Sequence, residues 1–544
     1  MKIAEYLLNR LKENNVTDVF GIPGGVVLGF LYSTDKTEGI TPHLSYHEQA
    51  AAFEAIGFAQ VYHTLGVVYA TRGPGFTNLI TGIADAYAES VPVLFITGHS
   101  EKTVGHSRRF EKEQELDTVA MVRHITKYAA VIDGATDIWK IDRAIKTALN
   151  GRKGPVMLDI SSDVWNEDVD DPPNIERKKE VEIVDCVDFS SLQAVLVKSK
   201  RPVFLVGDGI RQSGTYESFQ KLVNIAKMPV ISSRASQDIL SGSEYYFGYI
   251  GSHGIRYANM IFDKADLVIS LGNRMSFPVT SETYRKSIEG KEFVQIEIDR
   301  DEIKYEIPSL TCFVIELGKA IDNLKKLQYN DYNEWIDVCR IIKRELEHTD
   351  TNIIVETLYN KLKNITSETV VVCDVGNNEF WVSRAYELAS IRNRILYSKS
   401  FGALGCAIPK AIGTAIKTGA FVLAIVGDQG LQLNLQELQF IKQHNLPIEI
   451  FVINNYSLGM IEDREKIMYG YEIHTTEDSG YEALDVKKIA DAYGMGFGGK
   501  KLPRISEFVA SSYMPLEPSI PKGNRMYNMF PYVDENLIFY LKQL

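Results

Sequence analysis

Short uninterrupted apolar runs rich in Val, Ile and Leu recur along the chain, separated by longer stretches with helical spacing of apolar residues. The runs at 66–70, 92–96, 202–206, 267–271, 422–426 and 448–453 each end in a turn signal and are followed by a plausible helix. A strand that is apolar on both faces is buried on both. Its alternation with helices therefore predicts mostly parallel sheets covered by helical layers. The chain has 544 residues, too many for one hydrophobic core, so about three domains of ordinary size are expected.

Polar breaks suggest where these domains divide. Residues 166–183 open with a charged, Pro-containing stretch poor in apolar residues, as in a linker. A second break lies at 325–333. The expected plan is an N-terminal α/β domain at 1–165, the linker, a central α/β domain at 184–330 and a C-terminal α/β domain at 350–500. Residues 501–544, with several prolines and tyrosines and no clear period, read as an extended arm. The fold class is α/β, with three doubly wound parallel-sheet domains.

Composition narrows the picture. The chain is 45% hydrophobic and 24% charged, with a mean hydropathy of -0.11, as in an ordinary globular protein. Its 59 basic against 71 acidic side chains leave a formal charge of -12, which favours neither nucleic acid nor an anionic membrane as partner. No stretch reaches the roughly 20 apolar residues of a membrane span, and the N-terminus reads as an amphipathic helix rather than a signal peptide. The five cysteines are scattered without a Cys-x-x-Cys pair. That fits a reduced, cytoplasmic setting and no structural zinc.

The most informative chemistry lies at 424–460. A buried strand ends in Gly427-Asp428-Gln429-Gly430, a helix follows, and a second strand ends in Asn454-Asn455-Tyr456-Ser457. Open α/β sheets bind ligands at the carboxyl ends of their strands. Magnesium prefers oxygen ligands in near-octahedral array, with phosphates supplying several. Asp428, the Asn455 side chain and a carbonyl near Ser457 could supply three, while N–H groups of the Gly-rich turn meet diphosphate oxygens. Taken alone, the Asp-containing turn could equally cap a helix.

Gly-Asp-Gly followed one helix and one strand later by Asn-Asn is the signature of thiamine diphosphate enzymes. The segment 427–460 resembles the acetolactate synthase group of that family. The resemblance implies Asp428, Asn455 and the Ser457 carbonyl as metal ligands, and Gly427, Asp428, Gln429, Gly430 and Asn455 as cofactor contacts. Gln429 stands where the family has glycine. A side chain there costs about 1 kcal/mol if the position needs positive φ.

Further motifs follow in family order. Glu48, heading an Ala-rich helix after His47, reads alone as a dipole-stabilised surface acid. By resemblance it is instead the catalytic carboxyl that pairs with the cofactor's pyrimidine nitrogen N1′ and relays a proton. Gly402-Ala403-Leu404-Gly405 resembles the stretch whose bulky residue supports the bent cofactor, which makes Leu404 the candidate for that support. Gly24 and Gly25, the loop from Gly73 through Pro74 to Asn78, and Gly376-Asn377-Asn378 match further cofactor-binding turns. Gln114, beside Glu115, resembles a residue flanking the active site, although Glu113 replaces the family's Phe. Lys127 matches a nearby family position and is expected near substrate.

The resemblance covers nearly the whole chain to about residue 500. It implies thiamine diphosphate with Mg2+, decarboxylation of a 2-oxo acid such as pyruvate, and ligation of the resulting unit to a carbonyl acceptor. It also implies a homodimer or homotetramer. Central-domain turns at Gly207, Gly251 and Gly272 resemble those that hold FAD in acetolactate synthases, beside the alternative of a domain that keeps the fold without a ligand. Arg464 replaces a Trp that shapes the acceptor pocket, which suits an anionic acceptor. Ligation to a nucleotide-linked keto sugar is one variant. A simple 2-oxo acid decarboxylase is another, although the ten histidines include no adjacent pair of the kind several such enzymes use. A non-catalytic family member and a flavin oxidoreductase complete the alternatives.

Overall fold

The computed structural model describes residues 1–100, 113–169, 188–275, 282–349, 351–510 and 513–544. The chain divides into two compact units. The first comprises Met1–Lys178, Glu368–Asn378 and Arg394–Ser512; the second comprises Lys179–Ser367, Glu379–Asn393 and Tyr513–Leu544.

Two six-stranded sheets form the first unit. One contains β1 (Asp18–Gly21), β2 (Thr41–Leu44), β3 (Gly66–Tyr69), β4 (Val93–His99), β5 (Tyr128–Ile132) and β6 (Val156–Ser161), in the order β2-β1-β3-β4-β6-β5. The second unit contains β7 (Pro202–Val206), β8 (Val230–Ser232), β9 (Tyr246–Tyr249), β10 (Leu267–Leu271), β11 (Glu292–Glu297) and β12 (Leu310–Val314), in the order β12-β11-β10-β7-β8-β9. The remaining sheet of the first unit holds β13 (Val370–Cys373), β14 (Ile395–Leu396), β15 (Val422–Gly427), β16 (Ile448–Asn454), β17 (Gly496–Phe497) and β18 (Arg504–Val509), in the order β14-β13-β15-β16-β18-β17.

Neighbouring strands pair in parallel, as at β4 with β6 and β15 with β16. The three expected α/β layers are therefore present, and all six apolar runs singled out in the sequence are strands. Each unit also has its own apolar cores, built from both faces of its sheets.

Within the first unit, the helix Glu48–Tyr62 crosses the helix Ala407–Thr418 at close range. A Cβ added at Gly413 would overlap the Glu54 carbonyl oxygen, and one added at Gly57 would overlap that of Lys410. At this crossing the two backbones touch with no side chain between them.

The arm expected at 501–544 is not simply extended. Its first residues supply β18, and the helix Glu535–Gln543 buries Leu541 in a core of the second unit. The β18 residues are mostly half-exposed and three of the six are polar, so no continuous apolar run marks the strand. Of the expected linker, 170–183 lies outside the described residues, while Asp168 pairs with Lys2 in an isolated β-bridge. No helix among the described residues is long and apolar enough to cross a membrane.

Candidate functional site

Strands β13, β15 and β16 are adjacent and parallel, so their carboxyl ends lie side by side. Asp428 follows β15 directly and is buried; its Oδ2 accepts a hydrogen bond from the Tyr481 hydroxyl at 3.0 Å. Burial pushes the Asp428 carboxyl up to about 6, and a nearby cation would pull it back down.

At the end of β16 the two asparagines separate in role. Asn454 is buried and locks the turn, donating to Glu507 at 2.8 Å and accepting from the Tyr456 N–H at 3.1 Å. Asn455 is half-buried. Tyr456 takes the left-handed conformation (φ 52). The Ser457 hydroxyl donates to buried Glu462, and Leu458 N–H donates to the Thr475 carbonyl at 2.9 Å. These bonds fix the turn from which the Ser457 carbonyl would reach a metal.

Three carboxamides gather beside Asp428. A Cβ added at Gly427 would lie 2.9 Å from Asn378 Nδ2; one at Gly459 would lie 2.9 Å from Asn455 Nδ2 and 3.2 Å from Asn377 Nδ2. Asn377 Nδ2 reaches Asp463 at 3.3 Å, while its buried Oδ1 has no hydrogen-bond partner among the described residues. A buried orphan acceptor is costly unless something fills the site. Two helices, Asn377–Ala389 and Gly459–Met468, begin here, and helix starts are suited to holding anions. One carboxylate, several amides and two helix starts suit a diphosphate with a hard divalent cation. Among the described residues no group of three or more His, Cys, Asp or Glu is arranged to hold a metal ion, and this oxygen-and-amide set needs none.

Gln429 sits in the short helix Asp428–Gln432 and is not among the residues with positive φ. The strain considered for a side chain at 429 therefore does not arise. The position that requires glycine is 430, where an added Cβ would overlap Asp374 Oδ2. Asp374, at the end of β13, is buried, and desolvation raises its carboxyl to about 6. It is not among the candidates that the sequence motifs single out. Its signal is an acid closing a fully buried strand just before Gly376.

Leu404 is 39% exposed between Gly402 (φ 73) and Gly405 (φ 84). Two left-handed glycines around an exposed apolar residue present it outward on a rigid turn.

A second cluster forms at the carboxyl edge of the β1–β6 sheet. Glu48 is the first residue of its helix, with His47 Nδ1 accepting from the Gln49 N–H at 3.1 Å. Asn78 Nδ2 donates to Glu48 Oε2 at 2.9 Å, and Gly75 leaves room beside Oε1. Pro74 starts the helix that carries Asn78. A Cβ added at Gly24 would overlap Thr71, whereas Gly25 faces open space. Gln114 is exposed in the left-handed conformation (φ 61), with its backbone against Gly73. Buried Glu115 holds that stretch in place, accepting from Arg72 at 2.9 Å and from the Ser100 N–H at 2.9 Å.

Lys127 does not join this cluster. It precedes β5, at the opposite edge of the sheet, and its ammonium binds the Thr147 and Asn150 carbonyls where the helix Trp139–Leu149 ends. In this position it caps that helix. Arg464 is exposed on the helix Gly459–Met468.

In the second unit, the glycines at 207 and 209 are accounted for by packing. A Cβ at Gly207 would overlap the Gly272 carbonyl, and one at Gly209 would lie 2.7 Å from Gly272 Cα. These turns are shaped by loop-on-loop contact and give no independent sign of a flavin.

Family models match along the chain in the same order. Residues 1–121 match the N-terminal TPP binding domain of thiamine pyrophosphate enzymes, 190–324 the central domain and 374–510 the C-terminal TPP binding domain. The acetolactate synthase large subunit of Lactococcus lactis is 33% identical over 90% of this chain and 87% of its own length. The probable acetolactate synthase large subunit of Methanocaldococcus jannaschii is 31% identical over 97% and 95%. Acetolactate synthase 1 of Zea mays, a chloroplast protein, is 32% identical over 86% and 76%. The chain thus belongs to the thiamine pyrophosphate enzyme family, in its acetolactate synthase large-subunit group, and is a thiamine pyrophosphate-dependent enzyme.

Proposed function

We propose that the enzyme decarboxylates a 2-oxo acid, pyruvate in the first instance, and joins the remaining two-carbon unit to a carbonyl acceptor, with Mg2+ holding the cofactor's diphosphate. The observation that carries this reading is the gathering of Asp428 with the carboxamides of Asn377, Asn378 and Asn455 around Gly427 and Gly459. Thiamine pyrophosphate supplies a carbon nucleophile and an electron sink for bond cleavage next to a ketone.

The chain's own residues do the rest. Asp428, Asn455 and the Ser457 carbonyl would hold the metal, while Asn377, Asn378 and the two helix starts donate to phosphate oxygens. Glu48 holds and moves a proton at its carboxyl, with Asn78 fixing Oε2 so that the other oxygen is presented. Leu404 supplies apolar support. FAD, expected from the central-domain resemblance, carries no step in this reading.

A second reading concerns the acceptor. Arg464 lies exposed on the helix that follows the metal turn and has no ion pair among the described residues. That supports an anionic acceptor, such as a nucleotide-linked keto sugar. We also propose a homodimer or homotetramer in the cytoplasm. The four described cysteines are free, and Ile467, Met468, Tyr469 and Tyr471 form an exposed apolar stretch suited to a second copy.

Calorimetric titration of the metal-free apo protein with thiamine pyrophosphate, with and without Mg2+, tests the cofactor site beside Asp428→Ala. Metal-dependent binding that vanishes in the variant supports it, and no binding by the wild type overturns it. Product analysis with pyruvate alone then decides the acceptor. Stoichiometric acetolactate at a good rate removes the anionic-acceptor reading.

A further inference from the structure

Asp374 is fully buried directly after β13. Its two oxygens accept from the Gly405 N–H at 3.0 and 3.1 Å. The backbone N–H groups of Val375 and Ala407 also donate to it, and the Cys406 thiol lies 3.7 Å away. The Gly405 carbonyl is held in turn by Asn434 Nδ2 at 2.7 Å. On its other side the carboxyl presses against Gly430, where no Cβ fits.

One side chain therefore touches three loops. The first is its own, leading to Gly376 and Asn377. The second is the Gly402–Gly405 turn, which presents Leu404 and runs into the helix Ala407–Thr418. The third is the Gly427–Gly430 turn, which carries Asp428. Serine or threonine would suffice to cap a helix start. A carboxylate is needed to accept several N–H bonds at once while filling the space under Gly430.

We propose that Asp374 is a positioning residue for the cofactor, setting the separation between the turn that presents Leu404 and the turn that presents Asp428. The proposal rests on the functional reading above and adds a residue to it. In Asp374→Asn, a nearly isosteric change, one acceptor becomes a donor that faces backbone N–H groups. Gly430→Ala pushes on the same carboxyl from the opposite side.

The test measures Mg2+-dependent thiamine pyrophosphate binding by calorimetry, apo-protein melting, and kcat and KM for the 2-oxo acid at saturating cofactor. Both variants are expected to melt within a few degrees of wild type. They should bind the cofactor about tenfold or more weakly and lose kcat with little change in KM. In Asp374→Ser, whose shorter side chain clears Gly430, adding Gly430→Ala should cost little further affinity. Wild-type binding with both single variants within about twofold of it overturns the positioning role alone. Melting lowered by more than about ten degrees in Asp374→Asn shows a purely structural role and also overturns it. Failure of the wild type to bind overturns the functional reading instead.

Discussion

Glu54, buried midway along the helix that Glu48 begins, shares a hydrogen bond with buried Glu437. Ser45 donates to Glu54 at 2.5 Å and the Tyr46 N–H donates to Glu437 at 3.1 Å. Two carboxyls deprived of water and of a cation favour sharing a proton. Burial, and then the charge of Glu437, hold Glu54 well above the usual carboxylate range, and burial lifts Glu437 to about 7.

This pair predicts a pH dependence of stability. An acid whose folded pKa exceeds its unfolded value binds more protons when folded, so it favours the fold at low pH. For Glu437 that contribution is lost as pH rises from 4.5 through about 7. Apo-protein melting should fall by a few degrees across this window beyond what Glu437→Gln shows. Parallel wild-type and variant curves would contradict the shared proton.

Glu48→Gln should leave metal-dependent cofactor binding within about twofold of wild type and lower kcat by about 10²–10⁴. Asn78→Ala, which frees the Glu48 carboxyl, should have a smaller effect in the same direction. Steady-state kinetics at saturating cofactor check both, and a Glu48→Gln enzyme of normal rate would remove Glu48 from catalysis.

Lys410 is buried and paired with buried Asp85 at 2.9 Å. Lys410→Met leaves an uncompensated acid and should cost about 3–5 kcal/mol of stability. Adding Asp85→Asn should recover much of that loss. Chemical denaturation of the single and double variants reads the coupling.

Gly413→Ala should destabilise by at least the ~1–3 kcal/mol of an overpacked core, because the obstacle is backbone rather than a movable side chain. A melting temperature unchanged by this substitution would mean that the two helices can separate freely.

The sheets were legible because parallel strands are buried on both faces and so read as unbroken apolar runs. The same rule hid β18, whose half-exposed residues include the polar Arg504, Ser506 and Glu507. Glu48, Asp428 and Asn455 could be singled out in the sequence because each stands in a short motif and the motifs follow in family order. Lys127 stands apart from the other candidates because likeness in chain order does not reveal which edge of a sheet a residue occupies; it precedes β5, whereas Gly24, Glu48 and Gly73 follow β1, β2 and β3. Asp374 was passed over because the loops it joins are 31 and 56 positions away at Gly405 and Gly430. The strain expected at Gln429 depended on a φ that sequence does not specify.

The bare crossing of the Glu48–Tyr62 and Ala407–Thr418 helices has a consequence for descent. Where side chains separate two helices, each lineage can widen or narrow the gap by exchanging one residue for another. Here carbonyl oxygens meet glycines, and no exchange is available that leaves the gap unchanged. The interval between the head of one helix, at Glu48, and the head of the other, beside Leu404, is fixed by main-chain thickness. Sequences can diverge widely around such a joint while that interval is inherited intact.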